Sequence, residues 1–275
     1  MTALSSPAGA GGVAVLPEDV VLGLQALLCD ADGNLFPSEE PAFVASAGVT
    51  NAFLAEIGSP QRYTAEELRQ AATGMNFRTT SRRLATEAGR LDVDVEPWVA
   101  EEKRAVTAYL GEVLRPHEET TAALTELAGH LRPAVVSSSA LARLDACFRA
   151  TGLAQLLPAE VRFSAEDSLP VPTSKPDPAV YLHACRQLGI EPAAGLAVED
   201  SDAGTLSAVR AGCPTVGNLL FVPPGEREAR AAALREAGVL AVVSSWRELA
   251  DLLLPVLSRR DAIRGQHPDP TGGPR

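Results

Sequence analysis

A short apolar run, Leu24-Gln25-Ala26-Leu27-Leu28-Cys29, stops at Asp30-Ala31-Asp32-Gly33, and this junction limits what the chain can fold into more than any other stretch. The run has the length and punctuation of a buried strand. In open α/β sheets ligands bind beyond the carboxyl ends of the strands, which is where Asp30 would stand. Alternation along an extended chain points Asp30 and Asp32 the same way, so the two carboxylates repel unless a cation or a proton separates them. A divalent metal answers that repulsion. An Asx-type turn through Asp32-Gly33-Asn34 is the alternative left open by the fragment alone.

The rest of the chain favours the sheet. From Glu118 onward helical and strand patterns alternate: a helix to Ala128, a strand at Pro133–Val136, a helix through Leu141, Leu144 and Phe148, and short strands near Val161, Leu196, Thr215 and Val242. That alternation predicts an α/β fold, a doubly wound parallel sheet. With 46% hydrophobic but only 4% aromatic residues, the core must be filled by Ala, Leu and Val. Between Pro37 and Arg115 the patterns are all helical, with Thr64 and Glu67 spaced as a capping box, so an inserted helical lid is expected there. The predicted organisation is a flexible leader over 1–19, an α/β core made of 20–36 and 116–258, an all-helical cap over 37–115, and a flexible tail over 259–275.

A net charge of −11 argues against nucleic acid or an anionic membrane surface as partner. The four cysteines, Cys29, Cys147, Cys185 and Cys213, form no CxxC pair and read as buried thiols. No stretch has the length of a membrane span and no secretory leader is evident, so a soluble, cytoplasmic protein is expected.

Polar residues recur where predicted strands end: Asp30 and Asp32, then Ser137-Ser138-Ser139, then Glu199-Asp200, with Lys175 in the loop Ser174-Lys175-Pro176-Asp177-Pro178. Parallel strands would bring these loops to one edge of the sheet. Each residue has a plain reading when taken singly: Ser137 as a loop hydroxyl, Ser201 as a helix cap, Lys175 as a solvated lysine. Together, carboxylates, a lysine and hydroxyls suit a hard cation and a phosphoryl group. Oxygen ligands point to Mg²⁺, and Lys175 with backbone N–H groups after Ser137 would neutralise phosphate oxygens.

In that order, Asp30-Ala31-Asp32-Gly33, Val136-Ser137-Ser138, Ser174-Lys175-Pro176-Asp177-Pro178 and Val198-Glu199-Asp200-Ser201-Asp202-Ala203-Gly204 resemble the four motifs of the haloacid dehalogenase superfamily, over residues 24 to about 250. A helical insertion directly after the first motif is similar to its C1-lid subclass, which includes sugar-phosphate and phosphoglycolate phosphatases and β-phosphoglucomutase. The resemblance implies Asp30 as a nucleophile forming an aspartyl-phosphate, Asp32 as general acid and base, Ser137 and Ser138 with Lys175 as the phosphate site, and Asp30, Asp32, Glu199 and Asp200 around Mg²⁺. It implies a phosphatase of a small phosphorylated metabolite. A β-phosphoglucomutase-like isomerase is the enzymatic rival, although Ala42 stands near where such mutases carry a His. A non-catalytic binding protein is the third reading.

The segment Gly74-Met75-Asn76-Phe77-Arg78 resembles the part of the lid that faces the active site, which makes Asn76 and Arg78 candidates for substrate contact. With Arg82, Arg83 and Arg90, Arg78 could recognise a second anionic group on the substrate; a solvated helix face is the plainer alternative. His183 and Trp246 read as packed residues, and His117 as a hinge. Asn34 and Pro37 depart from the resemblance where the lid leaves the core, which bears on substrate class and hinge geometry.

Overall fold

A computed structural model describes residues 15–72 and 75–266 of the chain. Its elements run α1 (Glu18–Gly23), β1 (Ala26–Cys29), α2 (Glu39–Glu56), α3 (Ala65–Ala71), α4 (Phe77–Glu87), α5 (Glu96–Val113), α6 (Glu118–Ala128), β2 (Arg132–Ser137) and α7 (Leu141–Ala150). They continue with β3 (Arg162–Ser164), α8 (Ala179–Leu188), β4 (Gly195–Glu199), α9 (Asp202–Ala211), β5 (Thr215–Asn218), α10 (Arg227–Ala237), β6 (Ala241–Val243) and α11 (Trp246–Gln266). The six strands form one sheet in the order β3-β2-β1-β4-β5-β6, every pairing parallel.

Burial on both faces explains why the strands read as continuous apolar runs. Leu27 and Cys29 point into a cluster with Leu124, Phe148, Trp246 and Leu253 from α6, α7 and α11. Ala26 and Leu28, one residue out of phase, point into a second cluster with Val180, Tyr181 and Ala208 from α8 and α9. This is the doubly wound sheet expected from the sequence.

Helices α2 to α5 form the cap, inserted between β1 and β2. Phe53, Leu54, Leu84 and Val95 make a small core of their own, and the Thr64–Glu67 capping box closes in both directions at the start of α3. The cap is nevertheless rooted in the core, because Val106, Leu110 and Leu114 share a cluster with Leu144, Cys147 and Phe148. Cap and core are thus less separable near residue 115 than the helical pattern suggested.

The two ends differ from expectation in the same direction. The first helix begins at Glu18, inside the stretch read as leader, and buries Val21. The last helix runs on to Gln266 rather than stopping near 258, held by Arg260, whose guanidinium donates to Leu24 O at 2.6 Å and His130 O at 3.0 Å. Those contacts involve backbone acceptors distant in sequence, which periodicity does not register. The remainder of the expected leader and tail, residues 1–14 and 267–275, lies outside the described residues. All four cysteines are buried and unpaired, and no helix among the described residues is long and apolar enough to cross a membrane.

Candidate active site

The sheet order turns back between β1 and β4, and the crevice at such a switch point is where open α/β sheets bind ligands. Asp30 follows β1 directly, its backbone N–H donating to Val198 O of β4 at 3.0 Å; Glu199 is the last residue of β4. Lys175 reaches across from the loop before α8. Its ammonium donates to Asp30 Oδ1 at 2.5 Å, Glu199 Oε1 at 2.6 Å and Val136 O at 2.8 Å. Tyr181 of α8 donates a further 2.5 Å hydrogen bond to Glu199 Oε1.

Two motif glycines leave room for the acids. A Cβ on Gly33 would lie 2.3 Å from Asp200 Oδ2, and φ of 77° there is left-handed as well. A Cβ on Gly204 would lie 1.9 Å from Glu199 Oε2, so only glycine lets the first turn of α9 close against that carboxylate. Ser201 caps α9, accepting from Gly204 N at 3.1 Å, which is its plain reading from the sequence.

Asp30, Glu199 and Asp200 offer oxygen atoms within 4.8 Å of one another. Glu199 Oε2 is buried without a hydrogen-bond partner among the described residues. Crowded oxygen donors with an orphaned buried carboxylate atom fit a hard divalent cation such as Mg²⁺. The electrostatics point the same way. Burial first, then Glu199, pushes the Asp200 carboxyl up to about 7, and burial raises Asp30 despite the opposing pull of Lys175. Lys175 would be depressed by burial, but Asp30 and Glu199 outweigh it and hold its pKa above the ordinary lysine value.

Asp32 is placed quite differently. It accepts from Ser38 Oγ at 2.5 Å, Ser139 Oγ at 2.6 Å and Arg143 Nη2 at 3.1 Å. Burial would raise its pKa, yet Arg143 and the two hydroxyls together hold it below the ordinary carboxylate value. Ser137 and Ser138 also line the cavity. Ser137 Oγ accepts from Ser139 N at 3.0 Å, and Ser138 Oγ accepts from Lys175 N at 3.1 Å, so Ser138 secures the lysine loop.

One cavity of about 640 Å³ joins these core residues to the cap. Asn76 lines it and caps α4, accepting from Thr79 N at 2.9 Å. Arg78 does not line it. Its guanidinium makes a two-pronged ion pair with Glu96, 2.7 Å on each side, which Arg82 joins at 3.5 Å. The expectation that Arg78 faces the substrate therefore gives way to an exposed intra-cap ion pair; Gly74, from the same segment, lies outside the described residues. Trp246 is fully buried, His183 packs edge-on against Phe163, and His117 caps α6 while packing against Phe221.

Sequence reasoning missed Ser38, Ser139, Arg143 and Tyr181. Ser139 stood in the Ser137-Ser138-Ser139 run at the strand end without a role of its own, and Arg143 meets it only through Asp32. Tyr181 meets Glu199 only when α8 packs on the sheet, whereas Ser38 is close in sequence to its partner Asp32 and no pattern in that loop marked the contact.

A family model for haloacid dehalogenase-like hydrolases matches residues 24–212. Protein CbbY of Rhodobacter capsulatus is 31% identical over 201 residues, covering 70% of this chain and 84% of that protein. Validoxylamine A 7'-phosphate phosphatase of Streptomyces hygroscopicus subsp. limoneus is 39% identical over 83 residues, which span 30% of this chain and only 37% of that relative. Among solved structures, a HAD family hydrolase of Deinococcus radiodurans R1 with bound phosphate and sodium superposes with a TM-score of 0.63 at 27% identity, covering 86% of this chain and 97% of that one. With a parallel sheet, an inserted helical cap and the acids gathered where the strand order turns back, the chain belongs to the haloacid dehalogenase-like hydrolase family.

Proposed function

We propose that this chain is a Mg²⁺-dependent phosphatase of small phosphate monoesters, acting through an aspartyl-phosphate on Asp30. The observation that carries the reading is the Lys175 ammonium held between Asp30 and Glu199, which puts a fixed positive charge beside the one carboxylate placed to attack. A phosphate dianion repels a carboxylate, so charge must be cancelled before in-line approach. Lys175 cancels part of it. Asp30, Glu199, Asp200 and the backbone carbonyl of Asp32 would hold Mg²⁺, which when bound supplies further neutralisation of the transferring phosphoryl oxygens.

The remaining steps belong to the chain's own groups. Ser137 and the backbone N–H groups after it receive the phosphoryl oxygens. Asp32, held ionised by Arg143 and the two hydroxyls, takes a proton from water at its carboxylate as Asp30 is released; to give one to the leaving alkoxide it must first bind that proton against their pull. Ser38, Ser139 and Arg143 keep that carboxylate pointed at the cavity. The named phosphatase among the relatives agrees with this chemistry. No histidine lines the cavity among the described residues, and Ala42 does, which favours transfer to water over a mutase reaction. Four buried free thiols suit a reducing compartment, and the cytoplasm is the location we propose.

The test is hydrolysis of p-nitrophenyl phosphate with and without Mg²⁺, using Asp30→Asn as the control. Magnesium-stimulated release by the wild type and loss of at least about 10³-fold in the variant are expected. Equal turnover by the two proteins would refute the role of Asp30.

A further inference from the structure

The cap end of the cavity holds polar groups that the chemistry above does not use. Ser46 and Thr50 stand one helical turn apart on α2, and Glu102 faces them from α5; all three line the cavity. Thr50 is only 1% exposed, and its hydroxyl has no hydrogen-bond partner among the described residues. Glu102 is half-buried, and the Ser46 hydroxyl is near enough to oppose the rise of its pKa. Phe43, Leu68 and Phe77 add apolar surface to the lining.

Glu102 is the carboxylate at this end, and Arg143 and Lys103 are near enough to act on it. The cations lining the cavity are Lys175, Arg143 and Arg230, and each has a partner at the chemical end: Asp30 and Glu199 for Lys175, Asp32 for Arg143 through Nη2, the Asp200 carbonyl at 2.8 Å for Arg230, while Arg143 Nε is buried without a partner among the described residues. The cap arginines with the best reach, Arg78 and Arg82, are paired with Glu96 outside the lining. A leaving group therefore meets the Glu102 carboxylate, hydroxyls and apolar side chains, with Arg143 already drawn to Asp32 and Glu102.

Resting on the phosphatase reading, we propose that Glu102 is a specificity-determining residue, which rejects esters carrying a second anionic group and selects phosphate monoesters of neutral polyols. A polyol hydroxyl donates to Glu102, another pairs with the orphaned Thr50 hydroxyl, and carbon–hydrogen faces pack on Phe43 and Phe77. Burial already raises the pKa of Glu102 against the pull of Arg143 and Lys103; a substrate carboxylate beside it adds like-charge repulsion, while a donated hydrogen bond relieves its desolvation. The sequence offered anion recognition by Arg78 beside the plainer solvated helix face, and the Glu96 ion pair agrees with the plainer one.

Matched substrates isolate the point. Glucitol 6-phosphate and 6-phosphogluconate differ only in a hydroxymethyl against a carboxylate at carbon 1, and glycerol 3-phosphate and 3-phosphoglycerate form a shorter pair. The wild type is expected to favour the neutral member by roughly tenfold or more in kcat/KM, the equivalent of about 1.4 kcal/mol. Glu102→Gln should narrow that ratio by raising kcat/KM for the carboxylate member, and Thr50→Val should raise KM for glucitol 6-phosphate more than it lowers kcat. Turnover of p-nitrophenyl phosphate together with equal or better use of the carboxylate members would overturn the specificity assignment alone. An unchanged ratio in folded Glu102→Gln would overturn the role of that residue. No magnesium-dependent turnover of any ester would sink the phosphatase reading, and the specificity assignment with it.

Discussion

An amide suits position 34 because three partners converge on the side chain there. Asn34 Nδ2 donates to Asp30 O at 2.9 Å and Val198 O at 3.0 Å, its Oδ1 accepts from Asn218 Nδ2 at 2.8 Å, and its backbone carbonyl accepts from Trp246 Nε1 at 2.9 Å. What the sequence presented as a departure bearing on substrate class is a buried tie across the ends of β1, β4 and β5. Asn34→Ala would strand the Asn218 amide and two carbonyls, so a loss of about 2–4 kcal/mol is expected in urea unfolding. A loss under about 0.5 kcal/mol would show that water replaces the side chain. The Arg143 contact to Asp32 has a kinetic consequence instead. Arg143→Ala should lower kcat by about 10- to 100-fold with a smaller change in KM, because it frees the proton-transfer group rather than the phosphate site. A change confined to KM would assign Arg143 to substrate binding.

At the scale of elements, legibility followed the range of the interactions. β1, β2 and β4 were readable because burial on both faces leaves short apolar runs, and the helices because periodicity and capping are local. The end of α11 was not, since Arg260 bonds to the carbonyls of Leu24 and His130. The same division runs through the site: Asp30, Lys175, Glu199 and Asp200 were expected together from motif order, whereas Tyr181 and Arg143 meet Glu199 and Asp32 only once folded. Helix α9 supplies an element-level test. Gly204→Ala would place a methyl on Glu199 Oε2, which must move or the first turn must unwind. The variant is expected to fold with a lowered Tm and to lose most of the Mg²⁺-induced rise in Tm. A wild-type response to Mg²⁺ would remove Glu199 from the proposed metal site.

Over the whole molecule, the acids at the switch point make stability depend on pH and metal jointly. With Asp200 raised from its ordinary 3.8 to about 7, the metal-free folded state keeps a proton that the unfolded state has lost across that window. This contribution to stability therefore falls as pH rises from about 4 to 7 and is level above. Mg²⁺ displaces that proton, so its stabilisation should be larger near pH 8 than near pH 5. Thermal melts at both values, with and without Mg²⁺, check the sign; equal shifts would count against an acid-lined metal site. The placement of Ser38 has a mechanical consequence at this scale. It is the last residue before α2 and it donates to Asp32, so the covalent path into the cap passes through the hydroxyl that holds the proton-transfer carboxylate. A rotation of the cap about this connection would pull on Asp32 directly, so in the proposed reaction the timing of proton transfer is tied to the position of the cover.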